Sequence, residues 1–318
     1  MNKTQTSLLF GTLMAIICLS LITYEYPSLD DLWVENPFWN GLSTFYKVYE
    51  PIRLSEVSDL ENIVEPSNTT LFIIGPSSEF DVEEIRSIKI YLLQGGRLVL
   101  ADDFGTGNQL LNGLELNARF DGGLLEDPLF RERNSLLPVV KTEYGRDPIV
   151  LNYATGLLGV EDNLVRAWSS PFSFLINDDA AKGISAHPII AEIALGAGKI
   201  ILVSDSSIFI NSMISMGGNN AIIKSLNMGD ALIDEAHSVP SRLSYFKGLL
   251  EKTYTLLGSL ELRYSFAIAA VALICLVKYD TEDCHLDEVE VIINSHPEYD
   301  KTLVEKLSLE RNRIHGDD

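Results

Sequence analysis

Four short apolar runs give the centre of the chain an α/β pattern. Each run is rich in Val, Ile or Leu and too short for a helix, which is typical of strands buried on both faces of a parallel sheet. Three of the four runs are followed at once by acidic residues or by a serine and an acid. The predicted strands occupy residues 70–74, 98–101, 200–203 and 231–233.

Segments with helical spacing separate these strands. Residues 80–94 place Asp81, Glu83 and Glu84 in a first turn and end at a glycine pair, as helices commonly do. Residues 189–195 are also predicted as a helix, because they have helical spacing and precede a second glycine-rich turn. We therefore predict an α/β fold of the Rossmann or flavodoxin-like kind, with a mostly parallel sheet and helices on both faces.

The remaining chain has weaker patterns. The part between residues 120 and 148 is rich in Gly, Pro and charge and predicts an elaborated loop around one short strand. The other predicted elements are strands at 139–142, 149–153 and 174–176 and helices at 109–114 and 300–311.

Two apolar segments bracket the α/β region, which is taken as residues 32–240. Residues 4–24 carry no formal charge, and a helix of that length, at ~1.5 Å per residue, matches the roughly 30 Å hydrocarbon core. Residues 256–279 reach similar length and are predicted as a second transmembrane helix, with a buried helix of the domain as the alternative. With Lys3 and Lys278 beside them, we expect a cell-membrane protein with an extracytoplasmic domain, cytoplasmic termini and an acidic tail at 280–318.

Charge and cysteine content narrow the function classes. The formal net charge is −21, and residues 24–263 contain 33 acids against 18 bases, so a nucleic-acid partner is excluded and cations or basic protein surfaces are favoured. The three cysteines are Cys18, Cys275 and Cys284. The region between them therefore has no cysteine nucleophile, thiolate zinc site or internal disulfide.

The acidic strand ends are the candidate site. Because the carboxyl ends of parallel strands meet at one edge of a sheet, these side chains are expected to gather there. They suit either a ligand- or partner-binding surface or a divalent-metal hydrolase. The side chains are Asp102, Asp103, Asp205, Asp234, Glu235 and His237.

Three familiar catalytic motifs are absent around these residues. The turn after Asp103 has Leu110 where a dinucleotide fingerprint needs its third glycine. The run from Asp234 to His237 spells a helicase letter string, but no phosphate-binding loop accompanies it. Ser206 lies in no nucleophile elbow. We therefore assign no catalytic residue and expect no cofactor.

Four ordered motifs, at residues 95–108, 198–211, 219–221 and 233–237, carry a resemblance. In these motifs the chain resembles a prokaryotic membrane-associated family of unknown function, the 4350 type, over about residues 32–240. They also contain Asn108, Ser206 and Asn211, which we add to the predicted ligand- or partner-binding residues.

The resemblance implies a type I glutamine amidotransferase-like domain, similar to accessory subunits of gliding-type ABC transporters and encoded beside MoxR-type AAA ATPases. Amidotransferases use a cysteine nucleophile, which this region lacks. The predicted function is therefore a membrane-anchored, non-catalytic module that binds a ligand or a membrane- or AAA-ATPase-associated protein. The metal hydrolase is the alternative.

Overall fold

A computed structural model describes residues 3–177, 180–181, 183–257, 264–265, 268 and 289–314. The chain divides into two compact units, residues 1–247 and 248–318. The helices are α1 (Lys3–Glu25), α2 (Ser43–Tyr49), α3 (Val82–Leu93), α4 (Gly107–Gly113), α5 (Asn219–Leu226), α6 (Arg242–Leu257) and α7 (Lys301–Ile314).

The first unit is built on a central sheet of nine strands, with two small sheets beside it. The strands of the central sheet are β1 (Ile52–Leu54), β2 (Thr69–Ile74), β3 (Arg97–Ala101), β6 (Val139–Thr142), β7 (Ile149–Val150), β9 (Val165–Trp168), β12 (Pro188–Leu195), β13 (Gly198–Val203) and β14 (Asp230–Asp234). The small sheets contain β4 (Arg119–Phe120), β5 (Leu124–Glu126), β8 (Leu157–Leu158), β10 (Phe174–Asn177) and β11 (Ala180–Ala181).

The central sheet is mixed. Its strand order is β1-β14-β2-β3-β13-β12-β9-β6-β7, and the pairings are parallel from β1 to β13 and antiparallel from β13 to β7. The four strands predicted from the apolar runs are neighbours in the parallel part. The predicted α/β class is confirmed, but the sheet is mixed rather than a mostly parallel Rossmann or flavodoxin-like sheet, because four of its eight strand pairings are antiparallel.

The segment at residues 189–195 accounts for part of this difference. It was predicted as a helix, but it forms strand β12, which pairs with β13 as a hairpin closed by Leu195 and Gly198. Gly196 has φ +63, a conformation suited to a two-residue hairpin turn and equally common at a helix end. The helix predicted before β13 is therefore a strand.

At the centre of the sheet both faces are buried, because consecutive apolar side chains of strands such as β2 and β3 point to opposite faces. On one face Phe72 and Val99 pack with Phe45 of α2 and Ile222 of α5. On the other face the neighbouring strand residues pack with α3 and α4. Helices therefore cover both faces, and polar groups are left to the ends of the strands.

The flanking segments differ from the prediction. Residues 4–24 do form a helix, α1, but no helix in the part of the chain that the structure describes is long and apolar enough to cross a membrane. The prediction of two flanking transmembrane helices is thus corrected. That prediction rested on segment length and on the absence of formal charge within residues 4–24. Most of the second segment, 256–279, lies outside the described residues, and the predicted localisation stays a prediction.

One buried side-chain amide connects helix α5 to the end strand of the sheet. Asn219, at the start of α5, is fully buried and donates Nδ2 to the carbonyls of Val150 and Met213, both at 2.9 Å. Its Oδ1 accepts the Val150 amide at 2.9 Å. Asn219 therefore holds α5 against the end strand β7.

We expect Asn219→Ala to lower the free energy of unfolding by about 2–4 kcal/mol, because it leaves several buried backbone groups without partners. Urea unfolding of the purified chain measures this value. The control is Asn220→Ala, which removes the adjacent, exposed amide and should change stability by less than about 0.5 kcal/mol. Equal effects of the two variants would contradict the assignment.

Candidate functional site

The topology brings the carboxyl ends of β2, β3, β13 and β14 to one edge of the sheet. The predicted acidic side chains follow these ends, but they form three separate groups. Asp102 and Asp103 lie with Asp205 and Ser206, Asp234 lies with His237, and Glu235 lies with an arginine.

Asp102 organises the loop after β3. Its Oδ1 accepts the amides of Asp103 and Gly105 at 2.8 and 2.9 Å, and its Oδ2 accepts the amide of Gly107 at 2.8 Å. A Cβ at Gly107 would lie 2.6 Å from Asp102 Oδ2, so only glycine permits this approach. The glycines in the loop therefore serve an internal carboxylate rather than a bound phosphate.

Asp205 has the same role after β13. It is fully buried, and its two oxygens accept the amides of Asn152 at 2.7 Å and Ser207 at 2.8 Å. The neighbouring Ser206 donates Oγ to the carboxylate of Asp103 at 3.2 Å. This hydrogen bond joins the loop after β3 to the loop after β13.

Burial raises the pKa of all three carboxyl groups. It raises the pKa of Asp102 to about 6, against the amides that stabilise the charged form and with a further contribution from Asp103. Burial, followed by the negative charge of Asp103, raises the pKa of Asp205 well above its ordinary value. The pKa of Asp103 is also raised by burial. These three carboxyl groups therefore stay protonated to a higher pH than ordinary aspartates do.

His237 is the centre of the second group. Its Nδ1 lies 2.8 Å from Asp234 Oδ2, and its Nε2 lies 3.3 Å from Glu84 Oε2. The ring stacks on Phe80 at 3.6 Å between centroids. Burial lowers the pKa of His237, but the two carboxylates outweigh it, so the pKa lies above its ordinary value. Both ring nitrogens are thus engaged within the protein.

Glu235 forms the third group. Its Oε2 accepts Arg53 Nε at 2.8 Å, and the same guanidinium donates Nη1 to Glu35 at 2.8 Å. Burial raises the pKa of Glu235, although Arg53 opposes the shift. Its Oε1 is buried with no hydrogen-bond partner among the described residues.

The two asparagines among the predicted site residues form hydrogen bonds with backbone groups of other segments. Asn108 pairs with both backbone groups of Phe120, at 2.8 and 2.9 Å. Asn211 accepts the amide of Thr44 at 2.7 Å at the start of α2 and donates Nδ2 to the carbonyl of Asn36 at 3.0 Å. The role of the nine predicted site residues in binding stays a prediction.

A segment that the sequence prediction left out lies at the same edge. Asn36 is fully buried and donates Nδ2 to the carbonyl of Asp30 at 2.8 Å, which folds residues 29–40 into a compact loop. Leu32, with φ 53, lies directly over Gly75 at the end of β2. The sequence signal that could have identified this loop is the close spacing of aromatic, Asn and Asp residues within 29–40.

Two concave sites flank this loop and share Asp31 and Leu32. One, of about 410 Å³, also contains Gly75 and Ser77 after β2. The other, of about 450 Å³, also contains the exposed side chain of Tyr153. It is lined by Trp39, Asn40, Asn152, Ser207 and Ile210.

The geometry does not favour a metal centre. No group of three or more His, Cys, Asp or Glu side chains in the described ranges could hold a metal ion. The carboxylates of the three groups accept hydrogen bonds from backbone amides, His237 and Arg53 instead.

The raised pKa values predict a pH dependence. The folded chain binds more protons than the unfolded chain between the ordinary Asp value of 3.8 and about 6, so stability should fall as the pH rises through this window. For Asp102 the effect amounts to about 3 kcal/mol. Asp103→Asn removes a like charge and should reduce the loss of stability between pH 4.5 and 7 by about 1 kcal/mol.

Urea unfolding at several pH values measures that slope. The control is Asp162→Asn, which removes one exposed acid of the same unit. An unchanged slope in Asp103→Asn, or an equal change in both variants, would contradict the coupling.

A second prediction concerns His237. Its pKa, read from the ring Cε1–Hε1 signals by NMR and assigned with His237→Gln, should lie above 6.5. Asp234→Asn should lower this pKa, because it removes the nearer of the two carboxylates that oppose the effect of burial. The stability contributed by the wild-type contacts is present below pH 6.5 and is lost as the pH rises through the raised value. A pKa that Asp234→Asn leaves unchanged would contradict this.

Comparisons with solved structures give remote similarity. The N-terminal domain of mmIFT52 matches with a TM-score of 0.39 and 16% identity, over 53% of this chain and 77% of that one. A β-galactosidase from Bacillus circulans sp. alkalophilus matches with a TM-score of 0.32 and 11% identity, over 50% of this chain and 22% of that one. The cytoplasmic protein STM3548 from Salmonella typhimurium matches with a TM-score of 0.33 and 14% identity, over 54% of this chain and 73% of that one. At these scores the likeness supports no functional argument.

Sequence comparison is more specific. No curated protein matches the chain significantly. The sequence profile described as "Domain of unknown function (DUF4350)" matches residues 34–226, which is more than half of the chain and includes the strand ends of β2, β3 and β13. The chain therefore belongs to the DUF4350 family.

Proposed function

We propose that the first unit is a non-catalytic module that binds a ligand or protein partner at the carboxyl edge of its sheet. The observation that carries this proposal is the pair of concave sites that share Asp31 and Leu32. Ligands of α/β folds commonly bind beyond the carboxyl ends of the strands. The DUF4350 membership itself implies no activity.

The state of the strand-end side chains supports binding rather than catalysis. Asp102 and Asp205 each accept backbone amides through both oxygens, so neither is poised to take a proton from a substrate. His237 is engaged at both nitrogens and is almost fully buried. Asp205 and His237 are followed by loops whose residues, Ser207 and Ser238 among them, line the concave sites.

The surface chemistry favours a partner with positive charge and flat or aliphatic groups. Asp31 is an exposed carboxylate that belongs to both concave sites. Trp39 and Tyr153 expose 69% and 51% of their surfaces beside it. Aromatic faces and a carboxylate together attract an ammonium or guanidinium group. A basic segment of a protein partner meets this description.

The partner class also follows from the family resemblance. Proteins of the type that this chain resembles are encoded beside MoxR-type AAA ATPases or are similar to accessory subunits of ABC transporters. A protein of such a system is therefore the proposed partner. An accessory, non-catalytic role agrees with the absence of a cysteine nucleophile between residues 24 and 263.

A hexa-arginine peptide and a hexaglutamate peptide provide a defined test. We expect only the basic peptide to shift the amide NMR signals of the carboxyl edge. Asp31→Asn combined with Trp39→Ala should weaken its binding about 10-fold, since each contact contributes up to about 1 kcal/mol. The matched control, Asp162→Asn, should leave the affinity nearly unchanged.

Three outcomes would overturn the proposal. They are equal loss of binding in the control, shifts confined to the other edge of the sheet, and one-to-one binding of Mn²⁺ or Zn²⁺ by calorimetry that Asp103→Asn abolishes. The last result would support the metal hydrolase instead.

A further inference from the structure

Arg97, the first residue of β3, is a buried cation without an anionic partner. Only 9% of its surface is exposed. Its Nη1 donates to the carbonyl of Leu226 at 3.1 Å, and its Nη2 contacts the sulfur of Met228 at 3.4 Å. Its Nε has no partner, and no carboxylate in the described part of the chain lies within 4 Å of the guanidinium.

This arrangement is unfavourable as it stands. Arginine is rarely buried unless it is paired, because the charge loses its hydration. A thioether is a weak acceptor, and a buried N–H without a partner is destabilising. The surroundings of Arg97 therefore lack one strong acceptor.

A cavity of about 410 Å³ lies beside Arg97, at the edge of the sheet opposite the strand-end acids. Arg166 of β9 and Lys199 of β13 also line it, and Glu192 is the acidic residue in its wall. Three cations thus converge on one cavity of a chain whose formal net charge is −21.

The acid in the wall does not neutralise Arg97. Glu192 Oε1 accepts Lys199 Nζ at 3.1 Å, and Glu192 Oε2 accepts the hydroxyl of Tyr144 at 2.7 Å. Arg166 contacts Glu143 at 3.7 Å and donates Nη1 to a backbone carbonyl. The cavity therefore keeps an excess of positive charge.

We propose that this cavity binds a small oxyanion, the phosphoryl or carboxylate group of a ligand. One oxygen would replace the sulfur of Met228 as the acceptor for Arg97, and Arg166 would supply further charge. Met228 is 44% exposed, so its flexible side chain has room to leave. Gly95 and Gly198 in the wall present backbone without side chains to the ligand.

Thermal unfolding of the full chain tests this proposal. The midpoint is measured in low-salt buffer with added sodium phosphate, sodium succinate or sodium chloride at matched ionic strength. A ligand that binds only the folded state raises the midpoint. We expect phosphate or succinate to raise it more than chloride, and the stronger of the two identifies the phosphoryl or the carboxylate class.

The main variant is Arg97→Met, which keeps the length of the side chain and removes the buried charge. It should fold in the absence of the anion and should lower the apparent anion affinity about 10-fold or more, as expected for a lost charge-assisted hydrogen bond. Arg166→Met, at a half-buried position, provides a second variant should the first fail to fold. Arg86→Met removes an exposed charge on α3 and should leave the affinity unchanged.

Equal midpoint shifts in all three salts would overturn the proposal, as would a full response in both Arg97→Met and Arg166→Met. The combined Asp31→Asn and Trp39→Ala variant should respond to the anion like the wild type. The test is thus independent of the function proposed for the carboxyl edge.

Discussion

The burial of β2, β3 and β13 on both faces is the constraint on which the rest of the structure depends. Helices and connecting turns cover each face, so the middle of each of these three strands must be apolar. Charged groups can then lie only at the two ends of the strands. This single requirement places Asp102 and Asp205 at one edge of the sheet and Arg97 at the other.

The two edges meet this requirement in different ways. At the carboxyl edge, Asp102 and Asp205 accept hydrogen bonds from backbone amides of nearby loops, while burial raises their pKa values. Ser207, in the loop after Asp205, lines one of the two concave sites. At the amino edge, Arg97 has no comparable internal partner, and the cavity beside it remains electropositive. An acidic chain thus carries one candidate surface for cations and one for anions.

In the first unit, most polar groups at the strand ends bond within the protein itself. This unit has no cysteine between residues 24 and 247, and no metal-ligating group of three acids or histidines occurs among its described residues. Its polar groups instead connect segments that are distant in sequence, such as Ser206 to Asp103 and Asn211 to Asn36. Such connections suit a scaffold that presents surfaces to a partner.

The sequence by itself determined the elements whose signals are local. The apolar runs located β2, β3, β13 and β14, and the acids after residue 80 located α3, where Asp81 and Glu84 form a capping box. The tertiary structure decided what depends on pairing between distant segments. Gly196 could end a helix or turn a hairpin, and only the pairing of β12 with β13 and β9 selects the hairpin. Likewise, nothing near Arg97 in sequence shows that its guanidinium lacks an anion, because the neutral groups around it come from α5 and the loop before β14, more than 120 residues away.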